Sequence, residues 1–109
     1  MPSRSAAEGL RHLIGAATSG LNVVAVLFGE AVWAAKAGQE PGASGWLSLS
    51  ETLAKLLVQG DPPPPPVYVP EAALAHASLT REHLVPGVRM VPDEAIAEVV
   101  SEARHVMII

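Results

Sequence analysis

Residues 23–30, VVAVLFGE, decide the fold class of this chain. Its first six residues are all apolar and rich in β-branched side chains, with no polar residue between them. Such a strand is typical of a parallel sheet that is covered on both faces, because side chains of both faces must be buried. Gly29 ends the strand, and Glu30 begins a short helical pattern that contains Trp33 and ends before Gly38. Open α/β sheets bind ligands at the carboxyl ends of their strands, so Gly29 and Glu30 mark a candidate pocket.

Helical and extended patterns alternate on both sides of this strand. Upstream, Ser5 and Glu8 have the spacing of a capping box and begin an amphipathic helix that Gly20 ends. Downstream, Ser48 and Glu51 form a second capping box, with Trp46 in the loop before it. The remaining elements follow in order: a proline connector at 62–66, a strand at 67–69, helical turns at 71–77 and 80–84, a strand at 88–91, a helix at 94–104 and a strand at 105–109.

This alternation predicts a single domain over residues 1–109 with a three-layer α/β/α sandwich and a mostly parallel sheet. Eighteen alanines and few aromatic residues (4%) indicate a core of small and aliphatic side chains. In the last helix we expect four residues on the buried face and three acids on the solvent face. The buried set is Ile96, Val99, Val100 and Ala103, and the acidic set is Glu94, Glu98 and Glu102.

Composition excludes several classes of function. The chain has no cysteine, which excludes disulfides, a thiolate nucleophile and Cys-ligated metal. Its net charge is 7 − 11 = −4 and its seven cations form no run, so we expect no nucleic-acid partner. No apolar stretch reaches the ~20 residues of a membrane span, and Glu8 and His12 interrupt any secretory signal. We therefore expect a soluble cytoplasmic protein that does not bind a membrane.

The candidate sites favour a protein that is not an enzyme. A phosphate loop needs more glycines than Gly29, and Glu30 places a negative charge there; an ordinary tight turn fits better. The four histidines lack the i, i+4 spacing of a helical zinc site, and no serine has the setting of a nucleophile elbow. We predict no catalytic residue, no metal and no cofactor. Three of the four aromatic residues, Trp33, Trp46 and Tyr68, line either a subunit interface or the core.

The order of these motifs resembles the DsrE/DsrF-like family, which includes the TusB, TusC and TusD sulfur-relay subunits. Residues 6–41 are similar to its first helix, its apolar strand ending in a small-acidic pair, and its short helix with Val32 and Trp33. The loop 38–41, GQEP, is similar to the DsrF/TusC branch. Residues 68–91, the following helix and the terminal VMII strand also match the family's order.

The resemblance implies an α/β/α domain that assembles with itself or with related subunits as a trimer or hexamer. In the sulfur-transferring members, a cysteine near the end of the strand before the AAL-type helix carries a persulfide. The matching residues here are Tyr68, Val69 and Pro70, and none is a cysteine. DsrF/TusC-type subunits also lack that cysteine and serve as structural partners, so the resemblance does not imply a catalytic role for this chain.

The chain departs from the family at its start as well. Family members begin with a β-strand, whereas Met1, Pro2 and Ser3 already match the loop after it. A parallel sheet without that strand would expose unpaired amides and carbonyls. A start assigned too late, a partner that covers the gap, or an adjusted fold would each account for this, and we expect the first.

Three functions follow from this reading. The leading hypothesis is a non-catalytic subunit of an intracellular sulfur-relay or sulfur-oxidation complex. The alternative is a homo-oligomer of the same fold that binds a small ligand or regulates, without sulfur chemistry. The third is a hydrolase or transferase site on Glu30 and a histidine, which would require that Glu30→Gln abolish an activity without unfolding the chain.

Overall fold

The structure, a computed structural model, describes residues 4–20, 23–37, 46–58 and 64–109. Side chains at positions 4–6, 30 and 46–48 lie outside this description. The elements alternate as expected. They are helices α1 (Arg4–Thr18), α2 (Trp46–Leu56), α3 (Glu71–His76) and α4 (Asp93–Glu102), strands β1 (Val23–Val26), β2 (Val67–Pro70), β3 (Val88–Val91) and β4 (His105–Ile108), and two 3₁₀ helices, Gly29–Ala35 and Arg81–His83.

The described strands form one sheet in the order β3-β2-β1-β4, and every neighbouring pair is parallel. Strand β1 therefore lies inside the sheet, as its apolar sequence predicts. Hydrogen bonds continue beyond the strand ends: the Ala25 amide donates to the Pro66 carbonyl at 3.0 Å and the Leu27 amide to the Tyr68 carbonyl at 2.9 Å. Pro66, the last residue of the proline connector, thus takes part in the pairing with β1.

The main core lies on one face of the sheet. Parallel connections are right-handed, so the crossovers from β1 to β2 and from β2 to β3 lie on the same face. The buried cluster there joins α1, the first 3₁₀ helix, α2 and α3 to the sheet. Its fully buried members are aliphatic: Leu13, Ala25, Leu27, Val32, Ala35, Leu53, Val67 and Val69 are each 0% exposed. The core is therefore built from small and aliphatic side chains, as the composition predicts.

Helix α4 forms the opposite layer. The connections from β1 to β2 and from β2 to β3 move toward one edge of the sheet, whereas the connection from β3 to β4 returns to the other edge. A right-handed crossover in this opposite direction lies on the second face. The predicted buried face of this helix is only partly buried: Ile96, Val99 and Ala103 are half-buried, and Val100 is 36% exposed. A single ten-residue helix cannot cover a sheet face that needs two. Its three glutamates, 94, 98 and 102, are exposed as expected.

Both capping boxes misplace a helix start. Helix α1 begins at Arg4, one residue before Ser5, and α2 begins at Trp46, two residues before Ser48. Trp46 is therefore the first residue of a helix, and the prediction that it lies in a loop is wrong. A serine is tolerated within the first turn of a helix. Each residue added before it gains one backbone hydrogen bond, so a helix can begin upstream of a capping signal.

The gap expected from the absent family strand does not occur among the described strands. Strand β1 pairs with β4 along its whole length, from Val23 opposite His105 to Val26 opposite Ile108. Beyond the strands, Phe28 donates to the Ile109 carbonyl and Ile109 to the Val26 carbonyl, both at 3.0 Å. No helix in the described ranges is both long and apolar enough to cross a membrane.

Helix α1 packs tightly against the last residue of the chain, and this contact gives a first prediction. A Cβ added at Gly9 would lie 2.8 Å from Cγ2 and 2.9 Å from Cγ1 of Ile109, whereas one at Gly15 would meet nothing within 4 Å. We expect Gly15→Ala to stabilise the protein by about 0.5–1 kcal/mol through helix propensity. Gly9→Ala should destabilise it by about 1 kcal/mol, because overpacking outweighs the same gain. Urea unfolding followed by circular dichroism measures both. Equal stabilisation by the two variants would contradict this packing.

Candidate functional site

A cavity of about 760 Å³ lies at the carboxyl ends of the three strands β1, β2 and β3. Phe28 and Gly29 follow β1, Pro70 ends β2, and Asp93 follows β3. Parallel strands bring these ends to one edge of the sheet, which is where open α/β folds bind ligands. The residues that line it are Phe28, Gly29, Trp33, Pro70, Ala72, Ala73, His76, Ala77, Ser78 and Asp93.

The aromatic side of the cavity comes from the turn after β1. Gly29 has a φ of +53°, a backbone conformation that an L-residue rarely adopts, and begins the first 3₁₀ helix. In a 3₁₀ helix, residues three apart lie on one ridge. Ala31 with Ala34 and Val32 with Ala35 form two buried ridges, which leaves Trp33 half-buried on the third. The three-residue period therefore directs Trp33 to the cavity.

Phe28 is an apolar residue that the fold leaves accessible. It is 38% exposed although it follows a completely buried strand end, where Val26 and Leu27 are both 0% exposed. Its amide is held by the Ile109 carbonyl at 3.0 Å, so its backbone is fixed. An exposed aromatic ring in a concave site is a typical contact for a small molecule.

Asp93 contributes a carboxylate to the cavity. Pro92 occupies the N-cap position of α4, and no side chain caps that helix. Instead, Asp93 Oδ1 accepts a hydrogen bond of 2.9 Å from the Ala72 amide in the first turn of α3. Pro70, the N-cap residue of α3, has no side-chain acceptor. Asp93 therefore does for α3 what a capping side chain usually does, from 21 residues further along the chain.

The C-terminal end of α3 presents a serine in a strained conformation. The Leu79 amide donates to the Leu74 carbonyl at 2.9 Å, and the Ser78 amide to the Ala75 carbonyl at 3.0 Å. This is a Schellman motif, whose left-handed position is usually a glycine. Here Ser78 occupies it with a φ of +59°. Ser78 and His76, both exposed, bring polar groups to the same wall of the cavity.

A smaller acidic notch adjoins the cavity. Its volume is about 370 Å³, and it shares Ala72 and Asp93 with the cavity. Glu71 and Glu94 add two further carboxylates in the first turns of α3 and α4. Carboxylates are favourable at helix N-termini, so the fold itself accounts for their presence. Together they make this end of the site negatively charged.

The structure brings together only some of the predicted site residues. Gly29 and Trp33 line the cavity. The side chains of Glu30 and Trp46 lie outside the described part of the chain, although both backbones belong to helices. Tyr68 lies on the opposite face of β2 from the buried Val67 and Val69, with the Arg89 guanidinium 5.9 Å from its ring centre. Tyr68 is thus separate from the cavity.

The histidines do not assemble a metal site within the described ranges. No group of three or more His, Cys, Asp or Glu side chains there is arranged to hold an ion. His83 Nδ1 accepts a hydrogen bond of 3.0 Å from the Thr80 amide, which makes it a capping residue of the second 3₁₀ helix. His12 and His105 are exposed. Of the four, only His76 lines the cavity.

The sequence-based prediction missed His76, Ser78 and Asp93. A usable signal did exist for Asp93, because the first residues after each parallel strand meet at one edge of the sheet. Applying that rule to β3 as well as to β1 selects Asp93. No comparable rule selects Ser78, since its conformation depends on how α3 ends against the core.

Comparison with known proteins agrees with this architecture. No protein-family model and no curated protein matches the chain. Among solved structures, the YchN protein from Escherichia coli matches with a TM-score of 0.74 and 23% sequence identity, over 98% of this chain and 88% of YchN. The fold is DsrEFH-like. At this identity the similarity concerns the fold, and it agrees with the resemblance noted from the sequence at that level.

Loss of the Asp93 carboxylate should loosen α3. We expect Asp93→Ala to destabilise the protein by about 0.5–1 kcal/mol, the usual effect of removing a capping oxygen at an exposed helix end. Asp93→Asn should cost less, because the amide oxygen still accepts from Ala72. Glu98→Ala, an exposed acid of the same helix, serves as the control. Thermal unfolding in which Asp93→Ala and Glu98→Ala are equally stable would contradict the cap.

The left-handed conformation of Ser78 predicts a substitution that raises the stability of the protein, whereas Asp93→Ala lowers it. The left-handed region costs an L-residue about 1–2 kcal/mol, and glycine avoids this cost while losing more chain entropy. We expect Ser78→Gly to stabilise the protein by about 0.5–1 kcal/mol. The same change at Ser101, whose Oγ donates to the Glu98 carbonyl within α4, should destabilise it. Chemical denaturation distinguishes the two, and a destabilised Ser78→Gly variant would contradict the assigned motif.

Proposed function

We propose that this chain is a non-catalytic, cysteine-free DsrE-like subunit of an intracellular sulfur-relay or sulfur-oxidation complex, of the DsrF/TusC type. It would contribute surface and stability to an assembly whose sulfur-carrying cysteine belongs to another subunit. The observation that carries this proposal is the unprotected edge of the sheet at β4.

The two edges of the sheet differ in protection. The β3 edge has Arg89 within the strand and Pro92 directly after it, and both discourage pairing with another strand. The β4 edge, His105–Ile108, contains no lysine, arginine or proline, although the exposed Arg104 directly precedes it, and Ile108 is 60% exposed. Because α4 covers the adjoining face incompletely, this side of the domain presents a strand edge and apolar side chains together. A subunit that packs there would bury both.

The start of α3 supports the non-catalytic part of the proposal. The family resemblance places a persulfide near Tyr68, Val69 and Pro70, directly before this helix. In this chain the Ala72 amide is already bonded to the Asp93 carboxylate. A helix N-terminus stabilises an anion through its free amides, so a sulfur anion here would meet a like charge instead. Both the missing thiol and this carboxylate favour a supporting role.

Co-expression tests the proposal. Cysteine-bearing DsrE-like or TusA-like proteins encoded beside this chain are produced with it, and the complexes are measured by native mass spectrometry. We expect a stable hetero-oligomer, and sulfur label carried only by the partner's cysteine. A chain that forms a homotrimer and binds none of these proteins would contradict the relay role.

Two matched variants examine the β4 side. Ile108→Lys places a charge on the edge strand, and we expect it to weaken subunit association at least about tenfold, because a buried lysine without a partner is strongly disfavoured. Val58→Lys introduces the same charge at a residue two positions after α2 that is 68% exposed, and should leave association unchanged. Light scattering at several concentrations measures both. Unchanged association of Ile108→Lys would exclude β4 as the contact.

The cavity favours a second candidate, a homo-oligomeric protein that binds a small ligand without sulfur chemistry. A volume of about 760 Å³ lies within the range of small-molecule sites, ~300–1,000 Å³. Ser78 holds a hydroxyl at this cavity in a conformation where glycine would be less strained. Strain of this kind is often retained at binding sites. The two candidates use different parts of the surface.

A further inference from the structure

We propose that the cavity binds a small organic cation, an amine or quaternary ammonium group carried on an aromatic or aliphatic body. The proposal rests on the second candidate function, ligand binding at this cavity, and adds the charge and chemical class of the ligand. Three features of the site carry it: its aromatic side, the sign of its charges, and the way in which Asp93 is bonded.

The aromatic side suits both the body and the charge of such a ligand. Phe28 and Trp33 line one side, and Pro70, Ala73 and Ala77 add apolar surface beside them. Aromatic rings attract a cation through their electron-rich faces as well as through dispersion. A neutral apolar ligand would use the same rings but gain nothing from this attraction.

Apart from His76, every ionisable side chain among the described residues that line the cavity or the notch is a carboxylate. Asp93 lies in the cavity, and Glu71 and Glu94 line the notch that shares Ala72 and Asp93 with it. No lysine or arginine is among the described residues that line either space. The net charge of the whole chain, −4, has the same sign. These three carboxylates repel an anionic ligand and attract a cation, and they outnumber His76.

The bonding of Asp93 leaves it able to bind a ligand. One carboxylate oxygen accepts from the Ala72 amide at 2.9 Å, which fixes the direction of the group. A carboxylate has two oxygens and about four acceptor positions, so an ammonium group can still donate to it. The same bond removes the amide that could have attracted an anion to the start of α3. The carboxylate therefore both attracts a cation and excludes an anion.

Three probes of similar shape test the sign of the charge. Benzylamine, benzyl alcohol and benzoate are cationic, neutral and anionic, and their binding to the full chain is measured by isothermal titration calorimetry. We expect benzylamine to bind about five- to tenfold more tightly than benzyl alcohol, with benzoate weakest. The preference for benzylamine should decrease as salt is added, because the carboxylates are solvent-exposed.

Two variants locate the effect. Asp93→Asn keeps the acceptor for Ala72 but removes the charge, and should weaken benzylamine about fivefold while changing benzyl alcohol less than twofold. Glu98→Gln, an exposed acid of α4 outside the cavity lining, should change neither. Circular dichroism confirms that both variants are folded.

The outcomes separate this proposal from the function on which it rests. Benzylamine preference that Asp93→Asn abolishes supports the proposal. Binding of benzyl alcohol or benzoate as tight as that of benzylamine overturns it and leaves ligand binding intact. An equal benzylamine affinity in Asp93→Asn also overturns it, because the cation would then bind elsewhere. Absence of binding by all three probes contradicts both the proposal and the ligand-binding candidate.

Discussion

The parallel pairing of β1 with strands on both sides is the constraint on which the rest of the structure depends. Its amides and carbonyls bond β2 and the end of the proline connector on one side and β4 on the other. Strand β1 is buried, since Ala25 and Val26 are both 0% exposed. Its backbone amides and carbonyls therefore have no water to bond to if a partner strand is lost. The same pairing aligns the carboxyl ends of β1 and β2, and β3 pairs in parallel beyond them. The cavity is thus a direct consequence of strand order.

The helices cover the two faces of the sheet unequally. One face has a continuous core under α1, the first 3₁₀ helix, α2 and α3. The other has only α4 among the described elements, with no buried residue in it. Of the two edge strands, β4 is the one whose own residues include no lysine, arginine or proline. An incompletely covered face and an edge strand without these residues are features that the proposed subunit interface would bury.

The sequence predicts the elements that depend on local pattern and misses the contacts that depend on distance. The apolar run after residue 22 predicts a buried parallel strand, and β3 is predicted to the residue, since strand composition is readable locally. The start of α2 is misplaced because a capping signal does not forbid further helix before it. The cap of α3 by Asp93 joins residues 21 positions apart, and no local spacing encodes it. Likewise, the position of Trp33 follows from a period of three in a segment whose sequence suggests an ordinary helix.

Asp93 connects the two proposed functions through a single charge. At the beginning of α3, free amides would stabilise an anion such as a persulfide, and this chain satisfies the Ala72 amide with its own carboxylate. The Asp93 carboxylate at this amide makes the site less suitable for anionic sulfur. It makes the site more suitable for a cation that can also contact Phe28 and Trp33. The β4 edge lies on another side of the sheet and does not depend on Asp93. Under the two proposals, the β4 edge serves subunit association and the cavity takes a ligand whose charge is opposite to that of a persulfide, so neither use prevents the other.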